Sequence, residues 1–287
     1  MIKKLFGALA LVLSCGTAVV HAADAGYPLE SAPKPVTDLG ALQNGAKIFV
    51  NYCLSCHSAS AVRYNKLLQI GLTEEQIKNS LLFTGEGVGD MMDIAMSPKD
   101  AKAWLGTTPP DLSVIARAKS TNAGPSGADY IYTYLRTFYR DTSKATGWDN
   151  LVFPSVGMPH VMWDVQGPRT LTTTTVHQVS SDPANPEAPK VWERVTVTYD
   201  QDGYATSQKE TLQGEAHASF DAKFTSLNPE KDAAFDMDVA DLTAFLAWMS
   251  EPVQQDRKLI GIWVMLFLFI FLFVAYRLNA AFWKDVR

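Results

Sequence analysis

The chain has 287 residues, 47% of them hydrophobic, and its 25 basic and 30 acidic residues leave a net charge of −5. That length holds one large domain or two ordinary ones, and the apolar content suffices for a core plus a membrane segment. An acidic balance argues against nucleic acid or an anionic lipid surface as partner and suits a basic protein, although ordinary solubility accounts for a charge of this size equally well.

Residues 1–23 begin with Lys3 and Lys4, run apolar to Val20 and finish in Val20-His21-Ala22. This pattern predicts a secretory signal peptide cleaved near Ala22 or Ala23. Its removal would take away Cys15 and two basic residues, leaving 23 basic against 30 acidic and a charge of −7. Cys53 and Cys56 would then be the cysteines of the exported body.

Residues 42–54 have helical apolar spacing and run directly into Cys53-Leu54-Ser55-Cys56-His57. Gly45 lies near one face with Phe49 and Tyr52, so a second helix could approach closely there. Two thiols three apart with an adjacent imidazole admit several chemistries. One is covalent haem attachment, in which the thiols add to the haem vinyl groups and His57 reaches the iron. Half a zinc site is another, but a second Cys or His pair of suitable spacing is missing from the sequence. A redox dithiol normally opens a helix in a βαβ setting, unlike these flanks. A plain disulfide also suits an exported chain.

Thr73-Glu74-Glu75-Gln76 is a capping box that predicts a helix through Phe83. Ser97-Pro98 predicts another, ending at Gly106. Between Pro109 and Leu112 the sequence Pro-Pro-Asp-Leu forms a rigid turn. Its Pro110 carbonyl could accept the second ring N–H of a metal-ligating His57, and Leu112 could cover a cofactor face. Arg117 and Lys119 follow, and buried carboxylates such as haem propionates need cations of this kind. A further helix is predicted over residues 128–139.

If His57 binds iron, the other axial position needs a second ligand. Met91, Met92, Met96, Met158, Met162, Met237, Met249, His160, His177 and His217 are candidates. Met158 stands apart because it sits in Phe153-Pro154-Ser155-Val156-Gly157-Met158-Pro159. Proline after it forces an extended backbone, and glycine before it allows close approach to a flat cofactor. His160 is the main rival. A thioether ligand raises the reduction potential relative to two imidazoles.

Residues 169–179 and 191–199 are rich in Thr and Val and read as strands. Asp200-Gln201-Asp202-Gly203 reads as a turn, and the stretch SSDPANPEAP between the strands as a loop. A small β insertion is therefore expected over about residues 165–225. Residues 238–250 form an amphipathic helix that Glu251-Pro252 ends. Residues 259–276 are 18 uncharged positions, spanning roughly 27 Å as a helix, about the thickness of a bilayer core. With an exported body, residues 253–280 would anchor the chain and 281–287 would form a cytoplasmic tail, leaving residues 24–252 as one periplasmic domain in a bacterial inner membrane.

The ordered set of motifs resembles the cytochrome c1 family: CxxCH after a glycine-containing helix, Pro-Pro-Asp-Leu-Ser followed by Arg117, a Gly-Met loop, an amphipathic helix ending in Glu-Pro, and a single C-terminal anchor. The resemblance covers essentially the whole mature chain. It implies a mainly α, class I cytochrome c-like haem domain carrying the β insertion and one transmembrane helix. It implies one covalently bound haem c, with Cys53 and Cys56 at the thioethers, His57 and Met158 as axial ligands, and Arg117 on a propionate. The implied partners are cytochrome b, the Rieske iron–sulfur protein and a cytochrome c acceptor, in a dimeric multi-subunit complex in the membrane, with no nucleic acid. Some relatives carry a second arginine where Lys119 stands, and some carry a disulfide that this mature chain lacks the cysteines to form. A free-standing tethered electron shuttle and a haem peroxidase are the competing readings; a peroxidase needs an open sixth position, against which Met158 argues.

Overall fold

The computed structural model describes residues 27–122, 124–181 and 189–284. The predicted leader over 1–23, most of the loop between the two predicted strands and the last residues of the predicted tail lie outside these.

Helix α1 (Leu39–Ile48) starts where the Asp38 side chain accepts from the Ala41 N–H at 3.1 Å. Its buried residues are Ala41, Leu42, Gly45, Ala46 and Ile48. The helix then widens into a π-helical turn, Phe49–Cys53, so the predicted single helix over 42–54 is two consecutive pieces. The long helix α7 (Pro229–Ser250) crosses α1 at Gly45. A β-carbon there would lie 2.2 Å from the Asp241 carbonyl oxygen and 2.6 Å from the Phe245 β-carbon. Only hydrogen fits this crossing. Beside it Asn44 donates to Asp241 at 2.9 Å and to Asp238 at 3.1 Å, and the Phe49 and Phe245 rings meet at 5.6 Å. Burying each such ring contributes about 1.5–3 kcal/mol.

Short elements wrap this pair. Strand β1 (Ala59–Arg63) leads into a 3₁₀ segment, Tyr64–Ile70, and then into α2 (Glu74–Ser80). The Thr73–Gln76 capping box forms as expected, but the helix stops three residues before Phe83. Strand β2 (Met91–Met92) pairs with β1; α3 (Pro98–Leu105), α4 (Ile115–Ala118) and α5 (Gly127–Arg136) follow. Helix α5 also ends short of its expected limit: the backbone turns at Thr137, and β3 (Phe138–Arg140) pairs with β4 (Trp148–Asn150). After the brief α6 (Trp163–Gln166) comes the insertion.

The insertion has twice the expected number of strands. Strands β5 (Arg169–Ser180), β6 (Lys190–Tyr199), β7 (Ala205–Leu212) and β8 (Ser219–Ser226) form one antiparallel sheet in the order β7-β6-β5-β8. It is fastened to the helical body at one end. Arg169 donates to the carbonyls of Arg136 and Phe138 at 2.6 and 2.5 Å. The Tyr139 and Tyr199 rings meet at 4.8 Å, and the Thr142 N–H donates to the Gly203 carbonyl at 3.0 Å.

Helix α7 starts at Pro229, nine residues before the expected start; these first turns are mostly exposed, and Phe235 is their one buried side chain. After Glu251 the chain enters α8 (Gln254–Phe282), 29 residues long with no buried residue. It is long and apolar enough to cross a membrane.

Candidate haem site

The end of the π-helical turn presents the Cys-x-x-Cys-His segment. The N–H groups of Cys56 and His57 both donate to the Cys53 carbonyl, at 3.1 and 2.9 Å, which coils the five residues tightly against the end of α1. Both cysteines are free thiols, Cys53 buried and Cys56 half-buried. Burial, with a smaller push from Cys56, drives the Cys53 thiol up to about 12. It therefore stays protonated, unlike the thiolate a reactive dithiol needs.

His57 is oriented by the proline-rich turn. Its Nδ1 lies 2.7 Å from the Pro110 carbonyl oxygen. A carbonyl can only accept, so Nδ1 carries the proton and Nε2 keeps its lone pair for a metal. Burial lowers the pKa of His57, outweighing Pro110 and Asp111, which raise it, and favours this neutral form. The turn is itself fixed: Asp111 accepts from the Ser60 N–H at 2.8 Å, the Ser60 hydroxyl at 2.7 Å and the Ser113 N–H at 2.8 Å. The buried Leu112 donates its N–H to the Ser58 carbonyl at 2.8 Å.

Met158 sits half-buried on a loop that is pinned from beneath. Asp149, buried in the middle of β4, accepts from the N–H groups of Asn150 at 2.8 Å, Ser155 at 2.6 Å and Val156 at 3.4 Å. Lys144 pairs with the same carboxylate at 3.0 Å. Asn150 accepts from Val152 and Phe153 and donates to the Tyr134 carbonyl at 2.7 Å. Ser155 takes a left-handed backbone, φ 60°. Gly157 faces Thr107, whose methyl would lie 3.6 Å from a β-carbon there. The methionine loop thus abuts the segment that leads to Pro110, the residue orienting His57. On the other side the Tyr134 hydroxyl donates to the Met158 sulfur at 3.5 Å.

The rival His160 points elsewhere. It is 2% exposed, stacked on Phe138 at 5.0 Å and edge-on to Trp148 and Phe235. Its Nε2 meets Gln166 at 3.1 Å, and burial together with the charge of Arg169 lowers its pKa to about 3. Met92, Met162 and Met249 fill the core, and His177 lies in the β sheet facing Glu193.

Arg117 and Lys119 diverge. Arg117 donates to Glu251 at 2.6 Å, with its side chain 58% exposed. Lys119 instead lies over the Tyr130 ring at 4.7 Å. Tyr130 stacks on Tyr134 with centroids 6.0 Å apart, so Lys119, Tyr130, Tyr134 and Met158 form a continuous chain of contacts. Tyr130, Tyr134, Asp149 and Asn150 were not among the residues singled out from sequence; they belong to no motif, and their shared role comes from packing.

These residues fit a covalently attached haem. Two free thiols sit three apart at a helix end, a neutral imidazole is held by its outer nitrogen, and a thioether is supported by a pinned loop. Large apolar side chains also stand open to solvent in neighbouring segments, among them Trp104, Val114 and Phe153. Among the described residues no three His, Cys, Asp or Glu gather as a metal cluster.

The family model described as Cytochrome C1 family matches residues 34–185 and 224–286. The chain is 35% identical to the cytochrome c1 of Allochromatium vinosum over 280 residues, covering 97% of this chain and 98% of the relative. It is 36% identical over 279 residues to a Nitrosomonas europaea protein named ammonia monooxygenase gamma subunit, covering 97% of each. The cytochrome c1 of Rhodospirillum rubrum is 26% identical over 263 residues, 86% of this chain and 82% of that one. The chain belongs to the cytochrome c1 family.

Proposed function

We propose that this chain is a membrane-anchored, mono-haem c-type cytochrome that takes electrons from a Rieske iron–sulfur protein and delivers them to a cytochrome c acceptor within a quinol–cytochrome c oxidoreductase. Membership of the cytochrome c1 family makes it a haem electron-transfer subunit of a bc1-type complex. The observation that carries the finer reading is the His57–Pro110 hydrogen bond at 2.7 Å: it commits one ring nitrogen to the protein and leaves the other for iron.

In this reading Cys53 and Cys56 hold the haem c through thioethers, and His57 and Met158 are its axial ligands. Haem c supplies a one-electron couple. The protein holds both ligands on stiff supports, so little must rearrange when the charge changes. Leu112 covers the ring beside Pro110. The propionate cation is Lys119, with Tyr130, in preference to the expected Arg117, because Arg117 is already committed to Glu251. The helical core of α1, α5 and α7 supports a class I cytochrome c-like arrangement with the sheet as an insertion. Export by the leader would place the haem domain in the periplasm of a bacterium, with α8 crossing the inner membrane and the C-terminus in the cytoplasm. Cytochrome b and the Rieske protein are the expected companions, in a dimeric complex.

Two measurements test this. Changing Cys53 and Cys56 to alanine removes haem from the denatured polypeptide; retained haem overturns the attachment sites. Purification in mild detergent brings down a di-haem cytochrome b and the Rieske protein. Recovery as a lone cytochrome supports a free-standing shuttle instead, and recovery with an oxygenase supports the role carried by the name of the Nitrosomonas europaea relative.

A further inference from the structure

We infer that the Tyr134 hydroxyl, by donating to the Met158 sulfur, tunes the reduction potential of the site. The inference rests on the reading of Met158 as an iron ligand and adds to it a residue that controls how strongly that ligand binds.

The donor direction is fixed by chemistry: a thioether sulfur carries no hydrogen, so in the 3.5 Å contact Tyr134 must donate. The position of the hydroxyl is fixed by packing. Tyr134 lies in α5, its ring stacked against Tyr130 at 6.0 Å and edge-on to Phe138 at 5.1 Å. Its backbone carbonyl is held by Asn150, the same side chain that ties down the start of the methionine loop. Donor and acceptor are thus set by one hub and cannot easily drift apart.

A thioether has two lone pairs. One accepts from Tyr134 and the other remains for iron. The hydrogen bond withdraws electron density from sulfur and makes it a poorer donor. Oxidised iron depends on that donation more than reduced iron does, so the bond favours the reduced state. Tyr134 is therefore a positioning residue that raises the potential above what a thioether alone would give.

The test is Tyr134→Phe in the full-length chain in detergent. The ring packing is preserved and the donor is lost. The equilibrium with a reference redox couple shifts toward the oxidised protein by about fivefold, the size of one net hydrogen bond. The long-wavelength sulfur-to-iron absorption band of the oxidised protein moves at the same time. Tyr132→Phe, which removes a hydroxyl from the same helix at a ring that packs under Arg136 and away from the sulfur contact, moves neither. Fluorotyrosine at position 134 keeps the shape, strengthens the donor and shifts the equilibrium the other way; it also serves if the phenylalanine variant fails to load haem. An unchanged potential and band in both substituted proteins overturns the inference. Met158→Leu separates the two levels. If it leaves the sulfur band unchanged, the ligand reading itself fails; if it abolishes the band while the Tyr134 changes are silent, only the role of Tyr134 fails.

Discussion

Arg117 donates to Glu251 at 2.6 Å, joining the helix that follows the proline-rich turn to the residue that ends α7. From the other side Arg257 grips the same carboxylate at 2.5 and 3.2 Å. Three elements, α4, α7 and the first turn of α8, thus converge on one carboxylate at the root of the anchor.

Glu251→Gln should loosen that root without touching the haem environment. Both arginines are more than half exposed, so each pair contributes less than about 1 kcal/mol. Proteolytic cleavage and amide exchange around residues 250–258 should rise while the haem spectrum stays the same. A changed spectrum would mean the carboxylate supports the site itself.

The same junction has a defined pH dependence. Hydrogen bonds from Arg257 first, and then from Arg117, outweigh a burial penalty and hold Glu251 at about 2, below its ordinary 4.5. A carboxylate with a depressed folded pKa contributes stability that is full above the unfolded value and lost as pH falls through the folded one. Protection of residues 250–258 against amide exchange should therefore be full above about pH 4.5, decline as pH falls below it and vanish near pH 2. In Glu251→Gln it should be low throughout. Loss of protection already between pH 6 and 5 would point to another group.

Gly45→Ala should destabilise the protein by about 1–3 kcal/mol, the range for overpacking a filled site, because the new carbon meets the Asp241 backbone at 2.2 Å. Gly40→Ala on the exposed side of the same helix should instead be neutral or stabilising by about 0.5–1 kcal/mol. Thermal unfolding of the two variants measures the difference. Equal melting temperatures would show that α1 and α7 adjust freely at their crossing.

Asp149→Ala removes the acceptor shared by Asn150, Ser155 and Val156 and leaves buried donors unmatched, at a cost of about 1–3 kcal/mol. The loop bearing Met158 should become protease-sensitive between residues 151 and 159 at temperatures where the far-ultraviolet helix signal is unchanged. Simultaneous loss of both would place Asp149 in the global core.

Much of this arrangement is legible in sequence because it is local. The Thr73 and Ser97 caps, the close-contact role of Gly45 and the short CxxCH segment each depend on a few adjacent residues. Strand β7 is not legible, since nearly every side chain on it is exposed, and β8 buries only Ala222, Phe224 and Ser226 by halves, too short an alternation to stand out from a loop. Helix α5 was read three residues too far because Phe138 continues an apolar spacing that either structure accepts. The π-helical turn adds a residue to the repeat, which no 3.6-residue pattern displays. Asp149, Asn150 and Tyr134 escape for a different reason: their shared hub joins α5 to β4, and only the fold makes them neighbours.

The β sheet has an order that matters beyond the site. β5 and β8 lie side by side and antiparallel, with Val176 opposite Ser219, while β6 and β7 hang from the far edge of β5. The chain leaves β5 and returns to β8 at adjacent points, so a short turn could connect them directly. Removing the hairpin would give up the Tyr139–Tyr199 ring contact and the Thr142–Gly203 hydrogen bond while leaving α1, α5 and α7 in place. That makes the outer strands a detachable module: a lineage could acquire, trim or discard them by a single in-frame event, and an experimenter could graft a label onto the exposed side chains of β7.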